Sequence, residues 1–169
     1  MGIASWLPHY MTSAPYDDTY RFYSNLAPSL GISLDFAHTD KVDWDLFRQR
    51  MALWRSTAPL FYADYYPLTG WSNTQDTWLA WQFDRPQAGD GILQAFRRQE
   101  SPEASQTLRL FGLDAAATYE FIPLESDPAL TPAFRLSGKE LVESGLTVQI
   151  INHPGAAAYT YHRRTPDAN

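Results

Sequence analysis

Two mostly apolar runs, 78–83 and 92–97, flank a segment marked by Gly and Pro, so the stretch WLAWQFDRPQAGDGILQAFRR predicts two paired strands. Successive residues of a strand point to opposite faces, which groups Trp78, Ala80 and Gln82 on one side and Leu79, Trp81 and Phe83 on the other. The Leu79, Trp81, Phe83 side is read as the buried one. Asp84 to Gly91 contains Pro86, Gly89 and Gly91 and is read as a loop rather than a two-residue turn. The same pattern predicts strands near 106–111, 118–123, 133–136, 146–151 and 157–162. Short strands at this spacing, divided by Gly, Pro and Asp, predict an antiparallel sandwich. Ser137 followed by Glu140 has capping-box spacing and Gly145 closes the segment, so 138–144 reads as one or two helical turns.

Upstream the period changes. Phe47, Met51, Trp54 and Ala58 recur at helical spacing, with Leu46 and Leu53 widening the stripe. Asp40 is the expected N-cap of a helix over 41–58 that Pro59 ends, and Asp43 and Asp45 suit the positive end of its dipole. Before it, 2–10 is an apolar run expected to form a buried strand, and 12–19 is read as loop. Asp17 or Asp18 is expected to cap a helical turn over 20–26, which Pro28 and Gly31 break, and Ile32, Leu34 and Phe36 alternate as a short strand would. Thr165 to Asn169 is read as a disordered tail.

With 15% aromatic and 19% charged residues, a chain of 169 residues has the composition of an ordered globular protein able to bury one substantial core. Its net charge of -6 and the lack of any basic run argue against nucleic acid and anionic membranes as partners. Arg97-Arg98 and Arg163-Arg164 read as isolated pairs. The absence of cysteine excludes disulfides, thiolate metal sites and cysteine nucleophiles. No basic region precedes the apolar N-terminal run, which Pro8 and His9 interrupt, and no apolar run of about 18 residues occurs. The expectation is a soluble, cytoplasmic protein.

His9, His38, His153 and His162 lack metal-ligand spacing, and neither a Gly-x-Ser-x-Gly elbow nor a glycine-rich phosphate loop occurs, so no metal and no cofactor are expected. Asp35, Asp64 and Asp84 are the candidate carboxylates for a glycosidase pair, although sequence cannot pair them. Asp64 lies among Tyr62, Tyr65 and Tyr66 in the segment FYADYYPLT. That mixture suits either a sugar site, where rings cover C–H faces and carboxylates accept from hydroxyls, or a tyrosine-filled seam between domains.

Four blocks in order, FYADYYPLT, WLAWQFDRPQAGDGILQAFRR, LRLFGLDAAATYEF and SGKELVESGLTVQI, resemble the carboxyl-terminal region of glycoside hydrolase family 36 α-galactosidases. GIASWLP, YRFYSNLAPSLG and the helix ending in LFY resemble the last strands and helix of that family's catalytic barrel. The resemblance implies an α+β chain: 1–64 as the last strands and helix of a (β/α)8 barrel, 65–164 as a carboxyl-terminal antiparallel β-sandwich, and 165–169 as a tail. It also implies a retaining α-galactosidase in the whole enzyme, acting on terminal α-galactosides through two aspartates. The family's nucleophile follows Lys-Trp and its acid/base lies in a Trp-Ser-Asp-Asn type of context; neither motif occurs, so no catalytic residue carries over. The abrupt apolar start at Gly2 is read as the edge left by a missing barrel. Because barrel sites sit at the carboxyl ends of strands, Trp6, His9 and Arg21 are candidates for the rim of a sugar pocket. Three readings follow: a hydrolase fragment inactive alone, a stand-alone carbohydrate-binding or interaction sandwich, and a subunit completed by a separate amino-terminal barrel polypeptide.

Overall fold

Among the described residues every sheet pairing downstream of Ala63 is antiparallel, and the pairing upstream is parallel. The structure, a computed structural model, describes residues 11–32, 34, 36–124 and 132–164. The chain divides into two compact units, Met1–Tyr62 and Ala63–Asn169. The expected strand over 2–10 and the tail over 165–169 lie outside the described residues.

In the first unit, β1 (Met11–Ala14) runs parallel to β2 (Ser29–Ile32), with helix α1 (Thr19–Ser24) between them. The Asp18 carboxylate caps α1 by accepting from the Arg21 amide at 3.0 Å. The strand expected over 32–36 therefore sits earlier. Gly31, expected to break structure, pairs with Ser13, and 36–41 winds into 3₁₀ turns. Residues 12–14, expected as loop, supply the partner strand. A parallel partner distant in sequence sets this register, and local alternation does not reveal it.

Helix α2 (Trp44–Thr57) starts three residues later than expected, because Asp43 and not Asp40 is the cap, accepting from the amides of Asp45 and Leu46 at 3.1 and 3.0 Å. It stops at Thr57, but helical backbone continues past it: Ala58 keeps right-handed helical dihedrals and 58–62 tightens into a 3₁₀ turn that contains Pro59, so the proline ends the α-helix without ending the helical path. Its stripe of Phe47, Met51 and Trp54 is only half-buried, whereas Arg50 and Thr57 are the fully buried side chains. Arg50 donates to the Tyr16 carbonyl at 3.0 Å and to the Thr19 hydroxyl at 2.7 Å, with its guanidinium 4.8 Å from the Phe22 ring centre.

The second unit is an unequal sandwich. Its main sheet has the order β3 (Asp64–Pro67), β4 (Trp78–Arg85), β5 (Asp90–Arg97), β10 (Gly155–Arg164), β7 (Thr118–Pro123), β8 (Phe134–Ser137). The smaller layer pairs β6 (Ser105–Leu108) with β9 (Leu146–Gln149), beside helix α3 (Gly138–Glu143). The capping box at Ser137 and Glu140 is present, and the Gly145 amide returns to the Glu140 carbonyl at 2.8 Å.

Residues between the two layers form the core, including Leu108, Leu141, Val148, Leu93, Phe121 and Tyr161. Each large side chain buried there contributes roughly 1.5–3 kcal/mol. The core between the layers lies on the Trp78, Ala80, Gln82 face of β4, opposite to the expectation; of the expected face Phe83 is buried, Leu79 and Trp81 are half-buried, and Trp81 stacks on Phe96 at 4.8 Å. Alternation sorts residues into two faces but does not say which face receives the second layer. The facing alanines Ala80, Ala95 and Ala157 leave room for that layer. The loop expected over 84–91 contracts to 86–89, so Asp84 and Gly91 belong to strands.

Candidate functional site

Asp84, Gly91, Tyr161 and Phe121 are register neighbours on four successive strands, so their side-chain positions form one row on the core face. Glycine in this row lets a tyrosine cross a whole strand. A Cβ at Gly91 would overlap the Tyr161 hydroxyl, and the space it leaves allows Tyr161 on β10 to reach over β5 and donate to Asp84 Oδ1 on β4 at 2.7 Å. Gln82 completes the cluster. Its amide donates to the Tyr161 hydroxyl at 2.8 Å and to the Phe111 carbonyl at 2.9 Å, and its carbonyl accepts from the Phe111 amide at 2.9 Å.

Asp84 is 2% exposed, and its Oδ2 has no hydrogen-bond partner among the described residues. Burial raises its pKa above the ordinary value; the Tyr161 hydroxyl opposes the shift, and the charges of Asp64 and Asp90 add to it. Burial also raises the Tyr161 pKa, and the adjoining carboxylate raises it further, so this hydroxyl keeps its proton and donates at neutral pH. Gly112, with a φ of 73°, closes over the outer oxygen: a Cβ there would stand 2.9 Å from Asp84 Oδ2 and 3.3 Å from the Tyr66 hydroxyl.

Asp64 is the register partner of Asp84, so two of the three candidate carboxylates are neighbours on one face; Asp35 lies outside the described residues. A glycosidase pair needs two carboxyl groups about 5–9.5 Å apart with a sugar between them. Asp84 is sealed beneath Tyr161 and Gly112, leaving no room for a sugar against it. The cluster instead ties β4, β10 and the segment after β6 together.

Glu120 organises the outer edge of the sheet. It accepts from Arg135 at 3.0 Å and lies 3.1 Å from His162 Nε2 and 3.6 Å from Arg164, and the Arg135 hydrogen bond leads in holding its pKa below the ordinary range. Of the four histidines, His162 is thus engaged with Glu120, His153 Nδ1 lies 2.8 Å from the Gln99 carbonyl, His38 is exposed, and His9 lies outside the described residues. Among the described residues no three His, Cys, Asp or Glu side chains are grouped to hold a metal ion.

Of the proposed rim residues, Trp6 and His9 lie outside the described residues. Arg21 lies on α1 with its side chain 69% exposed, 3.5 Å from Asp18. Sequence reasoning missed two buried clamps. Arg97 donates to the carbonyls of Ser101, Pro102, Ile150 and Ile151, and Arg98 to those of Ser72 and Asn73. Their position at the end of a strand, just before a loop, was the available signal.

No protein-family model matches the chain, and no curated protein sequence matches it. Solved structures do. The family 36 α-galactosidase AgaA from Geobacillus stearothermophilus, in complex with raffinose, superposes with a TM-score of 0.67 at 19% identity, covering 92% of this chain and 22% of that one. This chain has the fold of a family 36 α-galactosidase segment. The same fold recurs in AgaB from Geobacillus stearothermophilus, with a TM-score of 0.65 at 20% identity over 91% of this chain and 21% of that one. In the α-galactosidase from Lactobacillus brevis the values are 0.62, 17%, 88% and 20%. The chain thus spans about a fifth of the length of each α-galactosidase whose fold it shares.

Proposed function

We propose that this chain is the carboxyl-terminal part of an α-galactosidase-type glycoside hydrolase that removes terminal α-linked galactose when whole, and that it is catalytically silent alone. The observation that carries the reading is the fold likeness over 92% of the chain. In this reading 1–64 are the end of a (β/α)8 barrel and 65–164 are a sandwich that supports it. Two features of the first unit support that division. A parallel pair joined through a helix, β1–α1–β2, followed by the longer α2, is the repeating grammar of a barrel, and parallel sheets are ordinarily wider and covered on both faces. The sealing of Asp84 supports silence, because it denies the chain a catalytic pair built on Asp84 and Asp64. Trp6, His9 and Arg21 are then rim residues of the completed pocket, a separate barrel polypeptide is the partner, and the cysteine-free composition suits a reducing cytoplasm.

The test is hydrolysis of a chromogenic α-galactoside by the purified 169-residue chain, alone and mixed with a separately produced amino-terminal barrel polypeptide. The expected result is hydrolysis only in the mixture. Hydrolysis by the chain alone would overturn the reading, and silence of the mixture would remove the barrel-completing role.

A further inference from the structure

Trp71 is the most exposed large apolar side chain among the described residues, at 88%. An indole is ordinarily among the largest contributors to a core, so leaving one in water forgoes much of its hydrophobic stabilisation. The loop that carries it, 70–77 between β3 and β4, is nonetheless firmly held. Arg98, itself 8% exposed, donates to the carbonyl of Ser72 at 3.0 Å and of Asn73 at 3.4 Å, and the Glu100 amide donates to the Gln75 carbonyl at 2.9 Å.

Two more loops join it. The register places the start of β4, the end of β5 and the start of β10 at one end of the sheet, so the loops 70–77, 98–104 and 150–154 gather there. Arg97 binds the second to the third through the carbonyls of Ser101 and Ile151, at 3.0 and 2.7 Å. His153 adds its contact to Gln99. Two buried guanidiniums thus fix three loops as one surface, the arrangement by which a rigid scaffold presents binding residues.

We infer that this end of the sandwich is a surface binding site for a neutral carbohydrate chain, with the Trp71 ring as the platform on which a pyranose stacks. The surroundings of the ring select this occupant. Ser72 and Thr74 hydroxyls are 2.8 Å apart, Thr74 donates to Asp76, and Asn73 and Gln75 are exposed, so the loop that carries the exposed ring also carries directional donors and acceptors. A sugar presents the complement, with C–H bonds on its faces and hydroxyls at its rim. A protein partner would be met by a contiguous apolar patch with several anchors, and here Ile151, 60% exposed, is the other exposed large apolar residue of the three loops. Polyanions are disfavoured because both arginines of these loops are consumed by carbonyls and the exposed charges include Asp76 and Glu100.

The inference does not rest on the galactosidase reading, and its test reads binding and not hydrolysis. The full chain is run in native gels holding soluble galactomannan, mixed-linkage β-glucan or dextran sulfate, beside W71A and W71F, with circular dichroism to confirm that both variants fold. Retardation by at least one neutral polysaccharide is expected, with W71A binding about five- to tenfold more weakly and W71F falling between. The inference is overturned if neither neutral polysaccharide retards the chain, if only dextran sulfate does, or if W71A is retarded as strongly as the parent. Self-association by sedimentation that W71A abolishes, without retardation, would also overturn it and assign the surface to a second copy of the chain.

Discussion

Helix α2 and strand β10 carry similar apolar loads and bury them differently. In β10, Ala157, Ala158, Tyr159 and Tyr161 are all buried, because this strand is central in its sheet and one of its faces meets the second layer. In α2 the large apolar side chains Phe47, Met51 and Trp54 stay half-buried, and the interior position goes to Arg50. The contrast is one of completeness. The second unit closes a core from its own elements, whereas the first offers, among its described residues, a two-stranded parallel sheet and an amphipathic helix whose stripe is only partly used. A helix gains most of its stability from packing its apolar face, so α2 contributes least where it is least covered.

The largest test of this contrast is Phe121→Ala. Phe121 is fully buried, stacked on Phe134 at 5.2 Å, and its truncation should cost about 3–5 kcal/mol in a chemical denaturation curve. A cost below about 1 kcal/mol would show that the second unit lacks the independent core described above.

Tyr161→Phe should come next, at about 2–4 kcal/mol near neutral pH, since it strips Asp84 of its donor and Gln82 of an acceptor inside the core. The effect should depend on pH. The folded-state pKa of Asp84 is raised, so its carboxyl favours the fold below the unfolded value, and that contribution is lost as pH rises through the folded value. Without the Tyr161 hydroxyl the pKa rises further. The variant's deficit should therefore be larger at neutral pH than at about pH 3, where the carboxyl is protonated and needs no donor. A deficit independent of pH would detach Asp84 from the network.

The smallest effect is expected in the first unit. Met51→Ala on the half-buried stripe should cost about 1 kcal/mol or less, well under the full cost of truncating a buried methionine. Should a barrel polypeptide bind the chain, the same substitution should become more damaging in the mixture, and denaturation midpoints measured with and without that partner compare the two directly.

Much of the second unit was legible from neighbouring residues. The strand over 118–123, the capping box at Ser137 and Glu140 and the closure at Gly145 follow from alternation and cap chemistry, which act within a few residues. Asp43 shows the limit even of local rules: three carboxylates over 40–45 are all plausible caps, and the 3₁₀ turns before the helix select the middle one. The network around Asp84 was not legible. Gly91 looked like a turn residue because glycine serves both turns and close approaches, and only the pairing of β4 with β5 and of β5 with β10 shows that it makes way for Tyr161.

By itself the sequence determined which side chains share a face, where helices begin and end to within a few residues, and that no cysteine chemistry is possible, because periodicity, capping and composition are properties of a contiguous stretch. Tertiary structure alone decided which face of β4 is the core, which of the arginines become buried clamps, and that Asp84 lies sealed opposite Asp64. Those outcomes depend on contacts between residues as many as 79 positions apart, and pairing over such separations is chosen by what the assembled layers can bury together.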